Sequence, residues 1–181
     1  PTQTAAAVDR AVAELGGLDI VVNNAATAIL APPVDEFTPP EQYDRLLAIN
    51  VGGVFWTVHA ALAHLGDGAR IINIGSVNAD SVPTPGDRGV RADQGRGVVV
   101  HPWTGPRARP ARYHRQQRAA RSDQHRNEPD EGEFADSLRP LTALGRYGKT
   151  SEVASVVSFL AGPESAYVTG ANVNVDGGFT A

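Results

Sequence analysis

The stretch Leu18-Asp19-Ile20-Val21-Val22-Asn23-Asn24-Ala25-Ala26 limits the possible folds more than any other part of the chain. Gly16-Gly17 bounds the apolar run on one side and an Asn pair bounds it on the other. Leu18, Ile20, Val21 and Val22 are too continuous for a strand with one wet face. Their short length and β-branching predict a strand buried on both faces, as in a parallel α/β sheet. Ligands of such sheets bind beyond the carboxyl ends of the strands. Asn23, Asn24, Ala25 and Ala26 fall at that end, where small side chains let backbone approach a ligand closely. A strand that simply stops in an Asn turn explains the same residues, so this stretch alone leaves both readings open.

Two further segments lead toward the same edge. A helix is predicted from Thr38, with Thr38 as cap, Pro39 in the first turn and Glu41 completing a capping box. Its apolar positions run to about Leu65, and Asn50 is the polar exception within Ala48-Ile49-Asn50-Val51-Gly52-Gly53. A buried Asn is costly unless hydrogen-bonded, so Asn50 either braces nearby backbone or holds a water at a site. Gly66-Asp67-Gly68 reads as a turn. Ala69 to Ser76 then reads as a second buried strand, which brings Ser76 to the edge already holding Asn23 to Ala26. A strand-end Ser is usually a cap or a turn residue. Two strands and a helix converging on one edge make a functional site the stronger reading.

The flanking segments are ordinary α/β sequence. Pro1 to Gly17 has helical spacing at Ala7, Val8, Ala11, Val12 and Leu15 and ends at Gly16-Gly17. The chain begins inside this helix, with no strand before it, so an N-terminal part is expected to be absent and the chain to be a fragment. Thr150-Ser151-Glu152 opens a helix that stops at Gly162-Pro163. Val168 to Gly178 reads as a strand with a Gly-rich end.

Composition removes several functional classes. The 181 residues suit one domain. No run of 18 apolar residues marks a membrane span, and no basic-then-apolar leader is seen at the start. With no cysteine, disulfides and thiolate metal sites are out, which fits a cytoplasmic location. His59, His64, His101, His114 and His125 show no metal-ligand spacing, so no metal is expected.

Together these motifs resemble the classical short-chain dehydrogenase/reductase family, most closely its 3-oxoacyl-carrier-protein reductase-like members. The similarity is carried by Asn23-Asn24-Ala25-Ala26, Ile49 to Gly53, Arg70 to Ser76, Pro140-Leu141 through Gly145-Arg146, Glu152-Val153-Ala154, Phe159-Leu160, Tyr167 to Gly170 and Val175 to Gly178, in the family's order. It implies a Rossmann-like doubly wound parallel sheet, incomplete here. No Gly-rich TGxxxGxG turn occurs in the chain. The resemblance implies hydride transfer between NAD or NADP and the carbonyl or alcohol carbon of a small molecule. It places Ser76 at the substrate oxygen and gives Asn50 a water in a proton relay. Asn23 and Ala25 would line the adenosine side of the cofactor, and Ile74 would lie near the nicotinamide. It also implies a homo-oligomer assembled through the long helix around Asn50.

The family's YxxxK is missing; Tyr147-Gly148-Lys149 has the wrong spacing. Asp87 to Arg126 instead holds ten Arg, three Asp and no Leu, Ile, Lys or Glu, a net charge of +7, and no helical or strand period is evident in it. A basic disordered linker reads this way, and so does a coding sequence in the wrong frame. With codons shifted by one base, Arg112 to Arg126 permits G-I-T-V-N-N-V-Q-P-G-P-I-S-T, a strand followed by the family's Pro-Gly. The same shift over Val90 to Gly95 permits Y-A-x-T-K, fourteen residues after Ser76. Residues 1–181 are thus expected to form one partial domain carrying an aberrant segment at 87–126, and the chain as written is expected to be inactive. Two rival readings remain. One is a non-catalytic relative acting as an oligomer partner. The other is nucleic-acid binding through the Arg-rich segment with Trp103 and Tyr113, which lacks a supporting fold motif.

Overall fold

The computed structural model describes residues 2–27, 39–76, 114–115 and 132–181. The chain opens with α1 (Thr2–Leu15) and β1 (Leu18–Asn23). Helix α2 (Pro40–Leu47) passes through one π-helical turn (Ala48–Gly52) into α3 (Gly53–Ala61). Strands β2 (Leu65–Asn73) and β3 (His114–Arg115) follow, then α4 (Glu133–Leu138) and α5 (Thr150–Ala161). The sheet order is β1-β2-β3 and both pairings are parallel.

Strand alternation explains how the helices divide between the faces. Neighbouring residues of a strand point to opposite sides of the sheet. Ile71 lies opposite Val21 in the register, and both join Val58 and Ala61 in a buried cluster, with Val8 packed against it. That face therefore carries α1 and α3. Arg70 and Ile72 point the other way, and Arg70 Nη2 donates to Gly162 O at the end of α5 (3.2 Å). The second face therefore carries α5. Helices on both faces of a parallel sheet make the doubly wound α/β arrangement. Ile72 is fully buried. Ile72→Ala should cost about 2–5 kcal/mol, read as a lowered urea midpoint at unchanged m-value.

The structure corrects several sequence expectations. β1 is buried on one face only: Val21 is 7% exposed, whereas Ile20 and Val22 are 42% and 44% exposed. On the α5 side these two have too little helix above them. β2 does meet the expectation, being buried from Ala69 through Ile72. Helix α3 ends at Ala61, and Leu65 already belongs to β2. The expected turn at Gly66-Asp67-Gly68 is absorbed as a β-irregularity, with Leu18 opposite Leu65 but Ile20 opposite Arg70. Thr38 lies outside the described residues. Pro39 holds the N-cap of α2 with no side-chain cap bond, and the capping box expected from Thr38 lies outside the described residues. Val168 to Gly178 forms no strand; among the described residues no strand pairs with it. Its end is instead tied by Leu144 N–H to Gly177 O (3.0 Å) and by close approach to Ala143. The remainder of 87–126 beyond β3 lies outside the described residues.

Candidate active site at the carboxyl edge of the sheet

The ends of β1 and β2 are joined by side chain and backbone together. Asn23 lies opposite Asn73, and Asn23 Nδ2 donates to Asn73 Oδ1 at 2.7 Å. The Ile74 N–H donates to Asn23 O at 2.9 Å. The two exit segments, Asn24 to Thr27 and Ile74 to Ser76, therefore leave the sheet beside one another. Asn24, Ala25 and Ala26 are exposed, while Ile74, Gly75 and Ser76 are half-buried. Small exposed residues on one exit and a hydroxyl on the other form a shelf open to a ligand.

Asn50 secures this shelf from the helix side. Its Oδ1 accepts from the Thr27 N–H and its Nδ2 donates to Thr27 O, both at 2.8 Å. A side-chain amide thus imitates a paired strand and satisfies a backbone unit that has left the sheet. The Asn50 side chain thus braces the backbone at the exit of β1. The residue sits in the π-helical turn between α2 and α3. Such one-turn bulges are rare and recur at functional sites. Asn50→Ala should leave the Thr27 donor and acceptor without these partners, at a cost of about 1–3 kcal/mol. Urea unfolding of the variant measures it.

A second concavity, of about 460 Å3, lies between Leu138 to Val153 and Asn174 to Phe179. Its wall is held by Arg146, whose guanidinium grips Glu152 bidentately (2.7 and 2.9 Å) and also donates to Tyr147 O. Glu152 Oε2 additionally accepts the Lys149 N–H at 2.7 Å, which caps α5. The Arg146 hydrogen bonds, helped by the Lys149 amide, bring the Glu152 carboxyl from its ordinary 4.5 to about 2. A carboxylate lowered by folding stabilises the native state above its unfolded value. That contribution should disappear as pH falls from 4.5 toward 2. Acid titration of wild type and Glu152→Gln, followed by the urea midpoint, should show this limb in the wild type only.

The sequence reading did not single out Thr27 or Asn73, and it named Arg146 and Glu152 only as motif residues without a role at a site. Asn73 had a usable signal, a polar residue inside the apolar run Ile71-Ile72-Asn73-Ile74. Thr27 had none, because its part is played by backbone. Among the described residues, no three His, Asp or Glu side chains are placed to hold a metal, and no helix is long and apolar enough to cross a membrane.

Comparison with known proteins gives this shelf its chemical setting. The profile of the short chain dehydrogenase family matches residues 1–86. A second profile, described as enoyl-(acyl carrier protein) reductase, matches residues 118–180. A short-chain dehydrogenase/reductase of Serratia marcescens BCRC 10948 superimposes with a TM-score of 0.84 at 40% identity, over 98% of this chain and 72% of that one. The chain belongs to the short-chain dehydrogenase/reductase family. It is similar as well to a short chain dehydrogenase of Burkholderia cenocepacia J2315 solved with NADP (TM-score 0.84, 33% identity, all of this chain and 73% of that one). The cyclic-di-GMP-binding biofilm dispersal mediator protein of Escherichia coli K12 is 34% identical over 193 residues, 97% of this chain and 73% of that protein. As a short-chain dehydrogenase/reductase, the protein is an oxidoreductase of the class that moves hydride between a nicotinamide and a carbonyl or alcohol carbon. The carboxyl-edge shelf is where that fold class binds its ligands.

Proposed function

We propose that this short-chain dehydrogenase/reductase interconverts a small carbonyl compound and its alcohol using NAD or NADP, with Ser76 at the substrate oxygen. The observation that carries the assignment is the shelf itself. Asn23 and Asn73 lock the two strand ends, Asn50 locks the exit loop at Thr27, and Ser76 lies on the neighbouring exit. The Burkholderia relative binds NADP, which supports a nicotinamide cofactor here.

The residues present fit part of such a cofactor. Exposed Asn24, Ala25 and Ala26 leave room for a flat ring system, with Asn23 and Ala25 on the adenosine side and Ile74 toward the nicotinamide. No Gly-rich turn for a pyrophosphate occurs within residues 1–181. When bound, the nicotinamide supplies or accepts the hydride. The chain's own residues orient the substrate. Ser76 Oγ–H donates to the substrate oxygen and shares the charge that grows there. Asn50 is a positioning residue, since its side chain is committed to Thr27. Ser76 cannot also provide the reaction's proton, because its hydroxyl is too weak an acid near neutrality to be left as an alkoxide. The Tyr and Lys permitted by the shifted codons of Val90 to Gly95 would fill that role, so the chain as written is read as inactive.

The finer family placement, 3-oxoacyl-carrier-protein reductase-like, is supported by the order of the motifs. Residues 1–181 are read as one partial domain. A homo-oligomer is supported by an aromatic face on α3, where exposed Phe55 and Trp56 meet edge-on at 4.8 Å and His59 stacks on Phe55 at 6.1 Å. A cytoplasmic location is supported by the absence of cysteine. The test is cofactor consumption with a panel of small ketones, aldehydes and 3-oxoacyl thioesters, each with NADH and NADPH. Turnover of none of these by a chain containing the Tyr and Lys would overturn the proposal.

A further inference from the structure

The pairing of β3 makes a demand that the residues directly before it do not meet. β3 runs parallel to β2, with Ile72 opposite His114 and Asn73 opposite Arg115. A parallel neighbour is reached through a crossover of a dozen or more residues, normally a helix. Between the strands the chain instead carries Pro102, Pro106 and Pro110 at every fourth position. Each proline removes an amide donor and clashes with the carbonyl one turn back. A helix cannot run through three in a row at that spacing. The written β3 is also a poor strand: neither His114 nor Arg115 is β-branched or aromatic in the strand-favouring sense of Val, Ile, Thr, Tyr, Phe and Trp.

We infer that the codons from about Asp87 to about His125 are written one base out of register, and that the native chain has a crossover helix followed by a β-branched strand there. The inference rests on the family reading only for the identity of the Tyr and Lys; the crossover argument rests on the strand pairing.

The genetic code supports it at positions where it leaves little choice. Trp has one codon, so the shifted triplet spanning Trp103 and Thr104 is GGA, which can only be Gly. Tyr113 with His114 gives a triplet that encodes only Ile or Thr, and His114 with Arg115 again gives only Ile or Thr. Two consecutive β-branched residues are therefore obligatory where the structure places β3. None of Pro102, Pro106 or Pro110 has to remain proline, since the shifted triplets also encode Leu or Arg.

Elsewhere the middle base is free. From Gly95 to Tyr113 the triplets permit A-A-V-L-S-F-T-R-G-L-A-R-E-L-G-P-R-G. That string places Val, Phe, Leu and Leu on one helical face and closes with Gly-Pro, a helix stop. Its apolar pattern is permitted rather than forced, and the weight falls on the obligatory positions. The family matches leave residues 87–117 uncovered, one ending at Gly86 and the other resuming at residue 118, within the last few codons of the segment. An extra base near Gly86 and a missing base near Arg126 account for both joins.

Sequencing the gene and its transcript across codons 76 to 133, with peptide mapping of the native protein, tests the inference. The expected result is a one-base difference at each join, a tryptic peptide carrying Tyr and ending in Lys from the Val90 to Gly95 region, and no peptide containing Trp103. A transcript in frame with the written chain, or a native peptide containing Trp103, overturns it. If the shift is found and the protein still turns over no carbonyl substrate, the frame inference stands and the proposed reductase activity fails instead.

Discussion

A gene corrected by one base at each end of the 87–126 segment is expected to yield a protein that reduces its carbonyl substrate about 10^2 to 10^4 times faster than the chain as written, the range assigned to a positioned general acid. The written chain keeps Ser76 at the shelf edge and the Asn50 brace on Thr27. Its sequence holds no YxxxK to deliver a proton as hydride arrives at the neighbouring carbon. The shifted codons of the corrected segment permit a Tyr fourteen residues beyond Ser76, with a Lys four positions after it. An ammonium beside a phenol favours the phenolate and lowers its pKa toward the working range. Both proteins would be purified in the same buffer and assayed by cofactor consumption. Far-UV circular dichroism would establish that each is folded, so that loss of structure is not read as loss of chemistry. Equal rates would remove both the Tyr and the frame from the mechanism.

In the corrected protein, Ser76→Ala should lower kcat by about 10^2 to 10^3 and leave KM nearly unchanged, the usual loss for a donor to a developing oxyanion. A hydroxyl aimed at a substrate oxygen bonds more strongly as charge builds on that oxygen. Its removal therefore weakens the transition state more than the ground state. Ser76 is half-buried and three residues past β2, in a segment anchored by the Ile74 amide to Asn23 O. The alanine variant should keep this anchor, and its urea midpoint should match the parent. A rise in KM at constant kcat would make Ser76 a binding contact only. Asn50→Ala is the contrast: it should lose stability, whereas Ser76→Ala should lose rate.

Much of the frame was readable from residue pattern, and the limits have physical causes. α1, β1, β2 and α5 carry periodic or continuous apolar runs closed by glycine, and such runs identify elements well. The exposure of Ile20 and Val22 was not readable, because continuity of apolar residues shows what a strand could bury and not what lies above it. Val168 to Gly178 looked like a strand, but a strand exists only with a partner, and none is paired with it among the described residues. At the site, Asn50 and Asn23 announced themselves as polar residues next to apolar runs. Their partners did not: Thr27 is engaged through backbone, and Asn73 becomes meaningful only once the register sets it opposite Asn23. The bidentate hold of Arg146 on Glu152 spans six positions across a turn, a separation that no helical spacing rule selects.

The bond from Arg70 to Gly162 O joins residues 92 positions apart. Arg70 leaves the ribosome within the buried stretch Ala69 to Ile72 of β2, and its acceptor is still to be made. At about 5–20 residues per second, the nascent sheet waits on the order of ten seconds for α5 to arrive and receive this cation. During that interval α5 is not yet over the face of β2 bearing Arg70 and Ile72, and the hydrated guanidinium opposes premature burial against a wrong surface. Arrival of α5 therefore acts as a checkpoint: a ribosome that loses its reading frame after residue 70 and does not regain it before α5 produces a chain in which Arg70 does not find its Gly162 acceptor.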